Sequence, residues 1–201
     1  VNTVEWDPGE NAENQLKRWC GLAAEPGVLR AVFARPGGAT AVGWVELAPW
    51  TQSRAVTVAE VEVTLAGPAL DVALCSDLVY LRRGVELVLT AGEPSAGLVW
   101  ALGRAGRAAL ARGLLDPTRL DGDEAVRLGL AQRVLDEGES PLVSTGASVV
   151  ALTTARDLMR SSSGARSELE LASFRLLFAS GDPGEGARAF FDRRPPDFEP
   201  R

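Results

Sequence analysis

The 201-residue sequence contains no histidine. That excludes Ser-His-Asp and Cys-His nucleophilic catalysis and every metal site built on imidazole. Cysteine occurs only twice, as Cys20 and Cys75. The two are far apart and neither has a ligand-like neighbour, so zinc is not expected. Both lie in apolar contexts that suit buried free thiols. Such sparing use of cysteine fits a reducing, cytoplasmic compartment. No apolar run is long enough to span a bilayer. There is also no basic run: 21 Lys and Arg stand against 27 Asp and Glu, a net charge of -6, and the basic residues are mostly single arginines. Phosphate binding needs clustered cations, so neither nucleic acid nor an anionic membrane is an expected partner. The opening VNTVEWDPGEN is acidic and polar, unlike a signal peptide. Internal repeats, low-complexity tracts and clear linkers are absent.

What remains is an ordinary globular composition. Hydrophobic residues make up 46% and charged residues 24%, near the globular average. The length suits one domain with a substantial core. Along the chain, Val1 to Trp6 reads as a strand and Asn11 to Leu22 as a helix with Leu16, Trp19 and Cys20 on one face. Pro26-Gly27 ends it. Leu29 to Ala34 is β-rich, and Ala41 to Leu47 is a further apolar stretch. Ala55 to Leu65 alternates strongly, but its phase slips near Ala59-Glu60, which implies a bulge or a break into two strands.

Ala69 to Cys75 suits a short helix, and Leu78 to Leu81 and Val85 to Thr90 read as strands. From about Ala96 the pattern turns helical, with Leu98 to Leu115 interrupted by Gly103 and Gly106. Asp121 is an N-cap residue and Glu124 completes a capping box, with Gly129 closing the short helix that follows. Ala131 to Leu135 is strand-like. Ser148 to Arg160, Arg166 to Ser180 and Gly184 to Arg193 are helical, the last ended by Pro195-Pro196. Periodicity predicts an α/β domain. The expected organisation is one domain over 1–201, with 1–135 as a β/α core and 136–201 as a C-terminal helical region.

Several stretches together carry a family resemblance. LLDPTRLDGDEAVRLGLAQRVL (Leu114 to Leu135) resembles the crotonase segment in which a short "A-E-E-A-x-x-x-G-L-V" helix leads into a strand. GEGARAFFDRRPPDF resembles the C-terminal "EG-x-x-AF-x-E-K-R-x-P-x-F" signature. AGPALDVALCSDLVY resembles "NG-x-A-x-GGG-x-E-L-A-L-x-C-D". WDPGENAENQLKRW and VLRAVFARPGGATAVGWVEL are similar to the family's first helix and first oxyanion turn. The order runs from Trp6 to Phe198, so the chain resembles the enoyl-CoA hydratase/isomerase (crotonase) superfamily over nearly its whole length.

The resemblance implies a crotonase-like β-β-α superhelical fold with a C-terminal helical trimerisation region. It implies an acyl-CoA thioester as substrate or ligand and no further cofactor. Such enzymes stabilise an enolate with two backbone N–H donors, while nearby carboxylates move the proton or activate water. Val42-Gly43-Trp44 matches the first donor turn, which makes Trp44 a donor and Val42 and Gly43 contacts for CoA. For the second donor the resemblance points to Leu70, with the glycine triplet and the residue after it missing between Leu70 and Asp71.

Asp71 falls at the first catalytic glutamate; its alternative role is to cap the following helix behind a Gly67-Pro68 turn. For the second glutamate, counting back from Pro94-Ser95-Ala96-Gly97 lands on Leu87. The adjacent Glu86 is then the candidate, although a shift of one residue reverses its face. Glu93, near the same loop, reads as a solvated turn residue. Phe190, Arg193 and Arg194 match the C-terminal positions that pack on a neighbouring subunit and help cover CoA. The arginines suit phosphate pairing, or else are surface charges beside packing phenylalanines.

Three functions follow as expectations. One is a hydratase or isomerase with a degenerate oxyanion hole and degenerate carboxylates, weakly active or inactive. Another is a non-catalytic scaffold or regulatory subunit, assembling with itself as a trimer or hexamer or with an active paralogue. The last is an acyl-CoA binding module.

Overall fold

The computed structural model describes residues 2–22, 27–36, 47, 50–90, 97, 99–101, 118–141, 148–160 and 175–198. The chain opens with β1 (Asn2–Glu5), α1 (Ala12–Leu22), β2 (Val28–Phe33) and β3 (Val56–Val61). β4 (Leu65–Ala66) runs directly into α2 (Gly67–Leu74), followed by β5 (Leu78–Arg82), β6 (Glu86–Leu89) and β7 (Thr118–Asp121). α3 (Gly122–Arg127), β8 (Arg133–Leu135), α4 (Val149–Arg160) and α5 (Asp182–Asp192) complete the described elements.

Two sheets organise them. The larger has strand order β1-β2-β3-β5-β8, and all four of its pairings are parallel. The smaller has order β4-β6-β7, with β4 parallel to β6 and β6 antiparallel to β7. The alternating run from Ala55 to Leu65 therefore breaks into two strands. β3 stays in the first sheet, and β4 crosses into the second and delivers the chain to α2.

β2 shows why the larger sheet holds. Leu29, Ala31 and Phe33 point into the core at 1%, 0% and 0% exposure. The alternate residues Val28, Arg30 and Val32 face outward, half-buried. Trp6, Trp19, Phe33 and Trp50 form one aromatic cluster on the core side, with ring centroids 5.5 to 6.5 Å apart. Tilted and edge-on contacts of this kind add to the burial itself.

The opposite face of the sheet carries a buried carboxylate. Glu60 is fully buried between the guanidinium groups of Arg30 on β2 and Arg82 on β5. Arg82 also donates to the carbonyls of Asp136 and Glu139 beyond β8. One carboxylate thus joins three neighbouring strands and the turn after a fourth.

The helix ends follow local chemistry. Asn11 accepts the N–H of Glu13 at 2.9 Å and of Asn14 at 3.3 Å, capping α1. Buried Gln15 joins this helix to the turn after β1, accepting from Asp7 N–H at 2.8 Å and donating to its carbonyl at 2.6 Å. Asp121 caps α3 by accepting the N–H of Glu124 at 2.8 Å, as the capping box predicts. The Glu124 carboxylate also pairs with Arg127 at 2.9 Å. Gly129 takes a φ of 78°, the left-handed conformation expected of a helix-closing glycine.

β7 has no counterpart in the sequence reading. Thr118–Asp121 is a strand with only Leu120 buried, so it shows too little alternation to stand out. The last helix starts two residues earlier than its periodicity suggests, because Pro183 fits the first turn of α5. Of the expected helix Arg166 to Ser180, the described part is helical over 175–179. Residues 41–46, 98 and 102–115 lie outside the described residues.

Candidate active site

The segment from Leu65 to Asp77 decides what the candidate site can do. β4 passes without a gap into α2, whose N-cap residue is Ala66 in an extended conformation, without a side-chain cap bond. Gly67 follows at a φ of 59°, a left-handed conformation that favours glycine. Pro68 then sits in the first turn, where a missing N–H costs the helix nothing. Every residue from Ala69 to Leu74 is buried.

This continuity changes the reading of the segment. Counted back from Asp77, Ala73-Leu74-Cys75-Ser76-Asp77 takes the "A-L-x-C-D" positions without a gap. Asp71 stays at the glutamate, and Gly67-Pro68-Ala69 falls on the glycine triplet. On this count the segment needs no deletion. The apparent gap came from matching Ala69-Leu70 with the two residues before the triplet, positions that Leu65-Ala66 take on this count.

Leu70, expected as the second donor, lies near the start of α2. It is the first residue of α2 whose N–H reaches an acceptor inside the helix, the carbonyl of the N-cap residue Ala66. Its side chain is buried at 4% exposure. The first turn keeps the N–H groups of Gly67 and Ala69, with Pro68 offering none between them. Trp44, Val42 and Gly43 lie outside the described residues, as do Glu93 and Pro94.

Asp71 is 6% exposed. It stands in the second turn of α2, not at its end, so it does not cap the helix. Its carbonyl accepts the N–H of Cys75 at 3.0 Å. Glu86 lies elsewhere: its carboxylate takes Arg119 at 2.8 Å, a half-exposed ion pair between β6 and β7. Leu87 and Leu89 are the inward residues of β6, at 0% and 4% exposure, so Glu86 occupies the other face. The structure does not bring Asp71 and Glu86 together as a carboxylate pair.

Nearby polar groups hold this region in place. Asp77 accepts the backbone N–H of Thr57 at 2.8 Å, and the hydroxyl of Thr57 accepts the N–H of Asp77 at 3.0 Å. Arg156 on α4 lies 3.9 Å from Asp77 and donates to the carbonyl of Ala55. The indole of Trp50 donates to Ser76 at 3.3 Å. The thiol of Cys75 is buried, as its apolar context predicts.

The C-terminal residues form a separate group. Phe190 and Phe191 are 79% and 81% exposed and touch edge-on, with ring centroids 5.8 Å apart. Arg193 ends α5 in the left-handed conformation at a φ of 53° and is exposed. Arg194 turns back on Glu185 in a forked pair, at 2.6 and 3.1 Å. The N–H of Asp197 also donates to Glu185, at 2.9 Å. The Arg194 guanidinium and then the Asp197 N–H hold the Glu185 carboxyl down at about 2. Of the two arginines read as phosphate ligands, Arg194 is thus committed within the chain. The signal was present in the sequence, because Glu185 and Arg194 are nine positions apart in the same C-terminal signature.

No family model matches the sequence, and no curated protein matches it. The solved structures are informative: the chain has the crotonase fold, that of enoyl-CoA hydratase/isomerase proteins. It is similar to the enoyl-CoA hydratase from Bacillus anthracis with a TM-score of 0.80 at 15% identity, over 99% of this chain and 95% of that one. An enoyl-CoA hydratase from Mycobacterium marinum matches with a TM-score of 0.76 at 17% identity, over 99% and 94%. Another from Polaromonas sp. JS666 matches with a TM-score of 0.72 at 20% identity, over 94% and 88%.

Proposed function

We propose that this chain is a member of the enoyl-CoA hydratase/isomerase family that binds an acyl-CoA thioester and acts on it weakly or not at all. One observation carries the reading. Pro68 stands in the first turn of α2, in the middle of the substituted glycine triplet, and has no N–H to give. A thioester carbonyl placed there meets fewer donors as negative charge develops on its oxygen. Removing one such donor costs about 2.7–4 kcal/mol of barrier, roughly 10²–10³-fold in turnover. The carboxylates support the same reading. Glu86 is engaged by Arg119 on the outward face of β6 and does not stand with Asp71.

Hydration of crotonyl-CoA, followed by loss of the enoyl absorbance, tests this beside calorimetric binding of a saturated acyl-CoA. Binding with slow or undetectable turnover is expected. Pro68→Gly should then raise turnover by about 10²-fold. Turnover at an ordinary hydratase rate by the unaltered chain would sink the reading.

A second reading rests on the C-terminal helices. Leu176, Phe178, Phe190 and Phe191 are 63% to 81% exposed, within sixteen positions of one another. Large apolar residues gathered in this way mark an association surface. Self-assembly into a trimer or a pair of trimers, or assembly with an active paralogue, would cover them. Sedimentation resolves this, and a strict monomer at all concentrations counts against self-assembly.

A further inference from the structure

α2 is held in place at one point, backbone against backbone. Gly97 is buried in a helical turn described at 97 and 99–101. A Cβ built on Gly97 would lie 2.3 Å from the Cα of Asp71, 2.5 Å from its carbonyl oxygen and 2.8 Å from its carbonyl carbon. All three are main-chain atoms, so no side-chain rotation relieves the conflict. The same turn is anchored in the core by Ala101 at 0% exposure, with half-buried Trp100 packed beside it. On its other side Asp71 is fixed by its helix, whose residues from Ala69 to Leu74 are all buried.

Among the described residues only two carboxylates are buried, Glu60 and Asp71. Glu60 is held by its arginines on the far face of the sheet. Asp71 is the one that the turn at Gly97 presses against.

We propose that Gly97 is a positioning residue for the Asp71 carboxylate. The absence of a side chain at 97 lets the two helical segments close until the Cα of Asp71 has one place only. The reach of the carboxylate is then set by its own length. The proposal rests on the reading above, in which Asp71 faces the bound thioester, and it assigns Gly97 a role that the hydratase resemblance does not.

The test uses the whole chain in three forms: unaltered, Gly97→Ala and Asp71→Glu. The Asp71 carboxyl titration is read by NMR, with Asp71→Asn for assignment, beside acyl-CoA affinity and crotonyl-CoA turnover. Folding is checked by circular dichroism. Gly97→Ala should displace the Asp71 titration midpoint and lower affinity or turnover by at least ~10-fold, since a misplacement of about 1 Å can cost 10²-fold.

Should Gly97→Ala fail to fold, Asp71→Glu decides. With the Cα fixed, the extra methylene misplaces the carboxylate, so the same ~10-fold loss is expected with an unchanged melting temperature. A folded Gly97→Ala with an unshifted Asp71 titration overturns the proposal. So does an Asp71→Glu variant within twofold of the unaltered chain. If the unaltered chain neither binds nor turns over acyl-CoA, the functional reading fails, while the titration still decides the role of Gly97.

Discussion

α2 and α5 are opposite solutions to the use of a helix. α2 has eight residues, and the six from Ala69 to Leu74 are buried. α5 has eleven residues, and Ala189 alone is buried. The first is fixed by everything around it, so a change at Pro68 or Gly97 alters what the helix can do. The second is shaped by its own charges, with Glu185 and Arg194 folding the tail back, and it turns large aromatic rings to solvent. Buried helices position chemistry, whereas exposed ones offer surface.

The comparison breaks first in the core. Trp19→Ala removes a fully buried ring that touches Trp6, Phe33 and Trp50. It should lower unfolding stability by about 3–5 kcal/mol in denaturant titration. A loss below about 1 kcal/mol would mean that the cluster does not carry the fold.

Glu60→Gln comes next. It leaves Arg30 and Arg82 facing a neutral group in a buried place, and about 3 kcal/mol should be lost, since breaking a buried ion pair strands the remaining charges. The same measurement on Phe190→Ala should move stability by less than about 0.5 kcal/mol, because the ring is already in water. Its effect belongs to association: paired with Phe191→Ala it should weaken any self-assembly seen by sedimentation. A large stability loss in that variant would contradict an exposed arm.

The smallest effect is a matter of pH. The Glu185 carboxyl is lowered from 4.5 to about 2 by Arg194 and the Asp197 N–H. A lowered carboxyl stabilises the fold above its unfolded value. The clasp is therefore fully present above 4.5 and is lost as pH falls through about 2. Because the group is solvent-facing, the stability change should be slight, and the carboxyl titration by NMR is the measurement to make. A midpoint near 4.5 would show that the clasp is not formed. Arg194→Ala should return Glu185 toward the ordinary carboxylate range.

Much of the fold was legible in the residues. The alternation of Leu29, Ala31 and Phe33 marks a strand with one buried face. The Asp121 cap is a local contact, three residues in reach, and it reads correctly. β7 was hidden because four residues with one buried side chain carry no period. The site was less legible. Whether Pro68 belongs to a turn or to a helix needed the boundary between β4 and α2, and the orientation of Glu86 needed the register of β6 against β7. The close contact of Gly97 with Asp71 joins residues 26 positions apart, and no local pattern reports it.

The sequence by itself determined the absence of histidine chemistry and the α/β character of the chain. Each of these is a property of residue type or of neighbours along the chain. Only the tertiary structure decided that Pro68 stands in the first turn of α2, that Arg194 belongs to Glu185, and that Asp71 lies under Gly97. Those outcomes depend on where a helix begins and on which distant segments meet. Packing of the whole domain sets both.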